Sequence, residues 1–183
     1  MNHKLSNAEK IERDIFRIVI GIMLALGLLL LAPRLMHAAS ETRLELNVSQ
    51  AAPRQVEEAT ANAIRREYAA AWEALASSVQ DNNAGVLAPH FVGNALEILT
   101  GTVEAQKNNG LRQRIVRHTH NAEVSFYSQE GSSMQLRDTV QLEIEYLDGN
   151  KVVHREQKSV RYLAILTVAG DRWRVRHLQS LPE

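Results

Sequence analysis

Between Arg54 and Val79 apolar side chains return every three or four residues, at Ile64, Tyr68, Ala71, Trp72, Leu75 and Val79. That period places them on one stripe of an α-helix, which Asp81-Asn82-Asn83 closes. A shorter segment holding Val86 and Leu87 follows and stops before Pro89. Phe91, Ala95, Ile98, Leu99 and Val103 then form the stripe of another helix, from about Phe91 to Asn108, with Gly110 suited to end it.

Beyond Gly110 the period drops to two. Val116, His118, His120, Ala122, Val124 and Phe126 alternate along one strand, and Met134, Leu136, Asp138, Val140, Leu142, Ile144 and Tyr146 along the next. Asp148-Gly149-Asn150 turns the chain into a third strand with Val160, Tyr162, Ala164, Leu166 and Val168. Gly170-Asp171 turns it again into Trp173, Val175 and His177. A two-residue loop there pairs Val168 with Trp173, Leu166 with Val175, Ala164 with His177 and Tyr162 with Gln179. Helices followed by a meander predict an α+β domain, with the helices packed on a curved four-stranded antiparallel sheet.

Upstream the pattern is of another kind. From Phe16 to Ala32 the chain reads FRIVIGIMLALGLLLLA, with Arg17 as its one charge. Its 17 residues meet the lower bound for a membrane-crossing helix. Lys4, Lys10, Arg13 and Arg17 precede the apolar centre, while only Arg34 and Arg43 follow closely. The positive-inside bias then keeps the N-terminus cytoplasmic and carries the rest across. The expected organisation is a leader (1–15), a transmembrane helix (16–32), a linker (33–54) and the α+β domain (55–183). The linker has room for a short strand near Leu44–Val48. A signal peptide cleaved near Ala38-Ala39-Ser40 is the alternative, and it also exports the domain, to the periplasmic side of the membrane.

Charge and composition narrow the partners. The chain carries 21 Lys/Arg against 21 Asp/Glu and no cysteine. A balanced chain lacks the basic excess that phosphate contacts need, so nucleic acid is not expected as a partner. Without cysteine there are no disulfides, thiolate nucleophiles or iron–sulfur clusters. No glycine-rich phosphate loop or nucleophile elbow is present either. No cofactor is expected.

Candidate chemistry lies in polar residues that fall on apolar strand faces. His118, His120, Asp138, Tyr162 and His177 alternate among Val, Leu, Ile and Trp. If they converge between sheet and helices they line a ligand pocket; otherwise they are core or solvated residues. Neither a catalytic set nor a metal site is assigned, since His-x-His alone is too common a spacing. On the opposite face Leu163, Ile165 and Leu178 interleave with Arg174 and Arg176. Apolar groups and arginines together suit a protein–protein interface. Arg172, Arg174 and Arg176, and a second cluster of Arg112, Arg114 and Arg117, are expected to pair across strands with acids such as Glu143 and Glu145; binding of anionic lipid headgroups or an acidic partner is the alternative.

The order of elements resembles the cone-shaped nuclear transport factor 2-like superfamily, which includes SnoaL-like and ketosteroid-isomerase-like domains. The residues that carry the likeness are Tyr68 and Trp72 on the first helix, the Val86–Leu87 segment, the Phe91–Asn108 helix and the closing Gly-Asp-Arg-Trp-Arg-Val run (Gly170 to Val175). With an anchor in front, the layout is similar to type IV secretion scaffold subunits and the intermembrane-space domain of plastid-division proteins. The resemblance implies a single-pass membrane protein whose domain acts as a non-enzymatic scaffold. It would self-associate as a homo-oligomer or bind an envelope protein. The alternative it implies is a small-molecule-binding or isomerase-like domain using the polar interior.

Overall fold

The computed structural model describes residues 41–110 and 112–182. The expected leader and membrane span (1–15, 16–32) lie outside the described residues. Among the described residues no helix is long and apolar enough to cross a membrane.

Among the described residues there are two helices and five strands, in the order β1 (Glu41–Asn47), α1 (Glu58–Asp81), a 3-10 turn (Ala84–Val86), α2 (Gly93–Asn108), β2 (Arg112–Tyr127), β3 (Ser133–Asp148), β4 (Lys151–Ala169) and β5 (Arg172–Leu181). The strands lie side by side in chain order in one open sheet. β2 to β5 form the antiparallel meander, while β1 runs parallel to β2. The sheet therefore has five strands and mixed direction, not four antiparallel strands. The extra strand comes from the segment read as linker. There Leu44 and Leu46 alternate with Arg43 and Glu45 and pack against the core, which a half-buried edge strand requires.

α1 buries the stripe the period predicts, with Ile64, Tyr68, Ala71, Trp72, Leu75 and Val79 all inside. It ends where Asn82 enters the left-handed region (φ 50°) and its N–H bonds Ser78 O. α2 buries Ala95 and Val103 and leaves Ile98 exposed. Phe91 sits before that helix and bridges to Val175. These elements close over Val124, Met134, Leu136, Val140, Ala164 and Leu166 on the inner face of the sheet.

Bulges decide which side chains share that face. β3 alternates without interruption from Met134 to Ile144. β2 slips between Ile115 and Arg117 and again between Val124 and Phe126. Ile115, not Val116, therefore packs on the core, and Phe126 turns outward with 42% of its surface exposed while Tyr127 is buried. β5 pairs Leu166 with Val175 and Val168 with Trp173 as the turn dictates, then slips at Arg176. Ile165 now faces His177, and Ala164 faces Leu178. One extra residue is enough to exchange the two faces beyond it.

Candidate functional site

The centre of the inner face is polar. β1 brings Thr42 opposite His118 of β2, and β3 brings Asp138 opposite both Ala122 of β2 and Tyr162 of β4. His118, His120 and Asp138 are 0%, 3% and 2% exposed. A buried carboxylate and two buried imidazoles are costly unless hydrogen-bonded, and here they bond one another. Asp138 Oδ2 lies 2.7 Å from His120 Nδ1 and accepts the Tyr68 hydroxyl at 2.9 Å. His120 Nε2 lies 2.8 Å from His118 Nδ1, and His118 Nε2 lies 3.0 Å from Thr42 Oγ1. Thr42 also bonds Glu73 Oε1, whose side chain is 43% exposed. The result is a continuous row from buried Asp138 to solvent-facing Glu73.

Trp72 fills the space beside this row. Its ring lies 4.8 Å from His120, 5.9 Å from His118 and 5.4 Å from Tyr162, centroid to centroid. Tyr68 and Trp72 stand four residues apart on α1, so they present to the sheet together. Of the expected pocket residues, His118, His120 and Asp138 thus come together in a packed layer. Tyr162 is half-buried at its rim. His177 does not join them. The Arg176 bulge turns it away, and it bonds Asn94 Oδ1 at 3.1 Å and Gln179 Oε1 at 3.2 Å near solvent.

Electrostatics follow from this packing. Burial, aided by His120, pushes the His118 imidazole down to about 4, so it is neutral at pH 7. Burial and then the Asp138 charge hold the Tyr68 phenol well above its ordinary value, and the same two causes raise Tyr162. Asp138 Oδ1 is buried with no hydrogen-bond partner among the described residues. No group of three or more His, Asp or Glu residues is arranged to hold a metal ion among the described residues. The ring nitrogens are engaged along the row and do not converge on one point.

Sequence reading missed three members of the row. Tyr68 looks like one more apolar-stripe residue, yet a buried tyrosine needs a partner for its hydroxyl, and the one acid on an apolar face, Asp138, was the available signal. Thr42 and Glu73 have no sequence signal, because nothing local announces that β1 docks beside β2.

The outer face is charged at one end and apolar at the other. Glu145 is buried between Arg114 and Arg155 and bonds both. The Arg114 hydrogen bond, with Arg155 assisting, holds its carboxyl below the usual range against the effect of burial. Glu143 lies 3.8 Å from both Arg117 and Arg155. At the other end Leu163 and Ile165 are half-buried, next to Arg137, Arg174 and outward-turned Phe126. Arg176 is exposed in the bulge. Leu178, expected on this face, is corrected to the inner one, where it packs on the core beside Ala164.

No family model and no curated protein matches the chain. Similarity to solved structures lies at the level of fold. A protein from Catenulispora acidiphila is 13% identical over 67% of this chain and 91% of its own, with a TM-score of 0.46. Aln2 from a Streptomyces species is 13% identical over 69% and 93%, with a TM-score of 0.49. The intermembrane-space region of chloroplast protein ARC6 is 12% identical over 71% of this chain and 100% of its own, at a TM-score of 0.57. With that region the described domain shares its α+β fold.

Proposed function

We propose that this chain is a membrane-tethered, non-enzymatic scaffold of the nuclear transport factor 2-like type. In this reading residues 16–32 anchor it, and its domain self-associates outside the cytoplasm through the outer face of the sheet. The observation that carries the reading is the contrast between the two faces. The inner polar residues are packed against Trp72, whereas Leu163, Ile165 and Phe126 stay partly exposed at one end of the outer face among arginines. Apolar groups ringed by arginine are the composition of interface centres.

A second copy of the chain is the occupant that fits. With 21 cationic and 21 anionic residues, two copies meet without net repulsion. An exposed sheet face can also supply the self-complementary patch that a two-fold dimer needs. The packed interior is why the small-molecule reading ranks second. In light scattering of the full-length chain in detergent, we expect a dimer. Ile165→Glu, which buries a charge at the centre of the contact, should weaken it by roughly tenfold or more. A wild-type chain that stays monomeric at high concentration, indistinguishable from Ile165→Glu, overturns the reading.

A further inference from the structure

The two edges of the sheet are finished differently. β5 is shielded by the segment from His90 to Val92, where Val92 N–H donates to Val175 O and Val175 N–H to His90 O, both at 2.9 Å. The Arg176 bulge then breaks the ladder just beyond. β1 has neither device. It opens the strand order, pairs with β2 along all seven of its residues without a bulge, and contains no proline or lysine. Among the described residues no strand lies on its far side. A regular edge of this kind is a template for another strand, which proteins otherwise blunt with bulges, prolines or charge.

The charges on β1 select the occupant. Arg43 and Glu45 stand exposed, alternating with Leu44 and Leu46, which pack on the core. Within one chain they bridge each other at 2.9 Å, with both side chains mostly in solvent. Backbone groups reach a free edge at every second residue, so an added antiparallel strand opposes positions of like parity. When the added strand is β1 of a second copy, the pairing is symmetric and one residue lies opposite itself. Centred on Arg43 or on Glu45, the pairing sets like charges face to face, which destabilises it. Centred on Leu44, it sets Arg43 against the second copy's Glu45, and Glu45 against its Arg43. Leu44 then meets Leu44 on the core side. Only that register pairs all seven residues from Glu41 to Asn47.

We infer that β1 is a second contact between copies of this chain, in which two β1 edges join antiparallel about Leu44 and make one continuous sheet from two domains. This contact goes beyond the outer-face dimer and does not rest on it. With both contacts in place, assembly runs beyond a pair. The edge contact is the weaker of the two. Seven residues a side fall well short of the roughly 20–30 of a standard interface. Dilute detergent therefore shows the outer-face dimer, and the edge contact is read by trapping.

The chain has no cysteine, so introduced thiols report the register. Opposed positions in an antiparallel pair have Cα atoms about 4.5–5.5 Å apart, within disulfide range. Positions two residues out of register are about 8 Å apart and beyond it. In the full-length chain in detergent, with copper phenanthroline as oxidant, Leu44→Cys should cross-link to itself. Arg43→Cys and Glu45→Cys should each stay at background alone, yet cross-link to one another when mixed. Both of those sites are exposed, so this result does not depend on the Leu44 variant folding. Charge supplies an independent reading. In the Leu44→Cys chain, adding Arg43→Glu or Glu45→Arg should cut trapping roughly tenfold. Mixing those two variants should restore it, because each brings the charge the other lacks. Adding Ile165→Glu throughout should change none of this. Equal trapping at all three positions, or no gain on mixing either pair, overturns the inference. So does loss of trapping with Ile165→Glu, which would make the edge contact a by-product of the outer-face dimer. Trapping that persists where light scattering finds no outer-face dimer supports the edge contact and sinks the outer-face reading alone.

Discussion

His118 shows how one side chain links burial to pH. Its imidazole has no exposed surface and is pushed from 6.5 to about 4 by desolvation and then by His120. A base whose folded value is depressed contributes full stability above its unfolded value. Below pH 6.5 the unfolded chain takes up a proton that the folded chain refuses. Stability is therefore lost as pH falls from about 6.5 to about 4. The linked loss is at most about 3 kcal/mol. Urea denaturation at pH 7.5 and pH 4.5 should show it as a lower midpoint in acid, and His118→Gln should flatten the difference. Equal midpoints for the wild type would mean that the ring is solvated. Trp72 makes that desolvation possible, since its ring lies against both histidines.

At the scale of elements, the bulge at Arg176 governs what β5 presents. Strict alternation puts Leu178 outside, where truncation changes stability by less than ~0.5 kcal/mol. The observed pairing puts it against Ala164 and the core. Leu178→Ala should then cost about 2 kcal/mol, the low end for a partly buried leucine, while Ile165→Ala on the outer face should cost much less. Chemical denaturation of the two variants separates the cases. Both helices, the meander and the uninterrupted β3 were legible in the sequence, because period and turn residues are local signals. α1 begins at Glu58, a few residues after the predicted start near Arg54. The bulges in β2 and β5 were not legible, since a slip is chosen by what the strand packs against. β1 was visible only as a short strand in a linker. Its parallel docking beside β2 is a long-range contact that no local pattern encodes. The same gap hid the row: His118, His120 and Asp138 could be placed on one face, but Tyr68, Thr42 and Glu73 join them only through tertiary packing.

For the whole molecule, the proposed sidedness makes a simple demand. A reporter enzyme that matures only after export, fused behind Glu183, should be active, and a reporter that works only in the cytosol should be silent in the same position. The reverse pattern removes the envelope role, whatever the domain binds. Dimerisation through the outer face and the reporter result are separate facts, so either can fail alone.

The early start of β1 then acquires a meaning for association. On the proposed topology only residues 33–40 separate the span from a sheet that begins at Glu41. Eight extended residues reach at most about 29 Å. Under the proposed anchoring the domain would stay near the bilayer, and copies would search for one another in two dimensions. Local concentration there would greatly exceed that of the same number of molecules in bulk, so the dimer seen in detergent would be more fully populated when both copies are moored in one membrane.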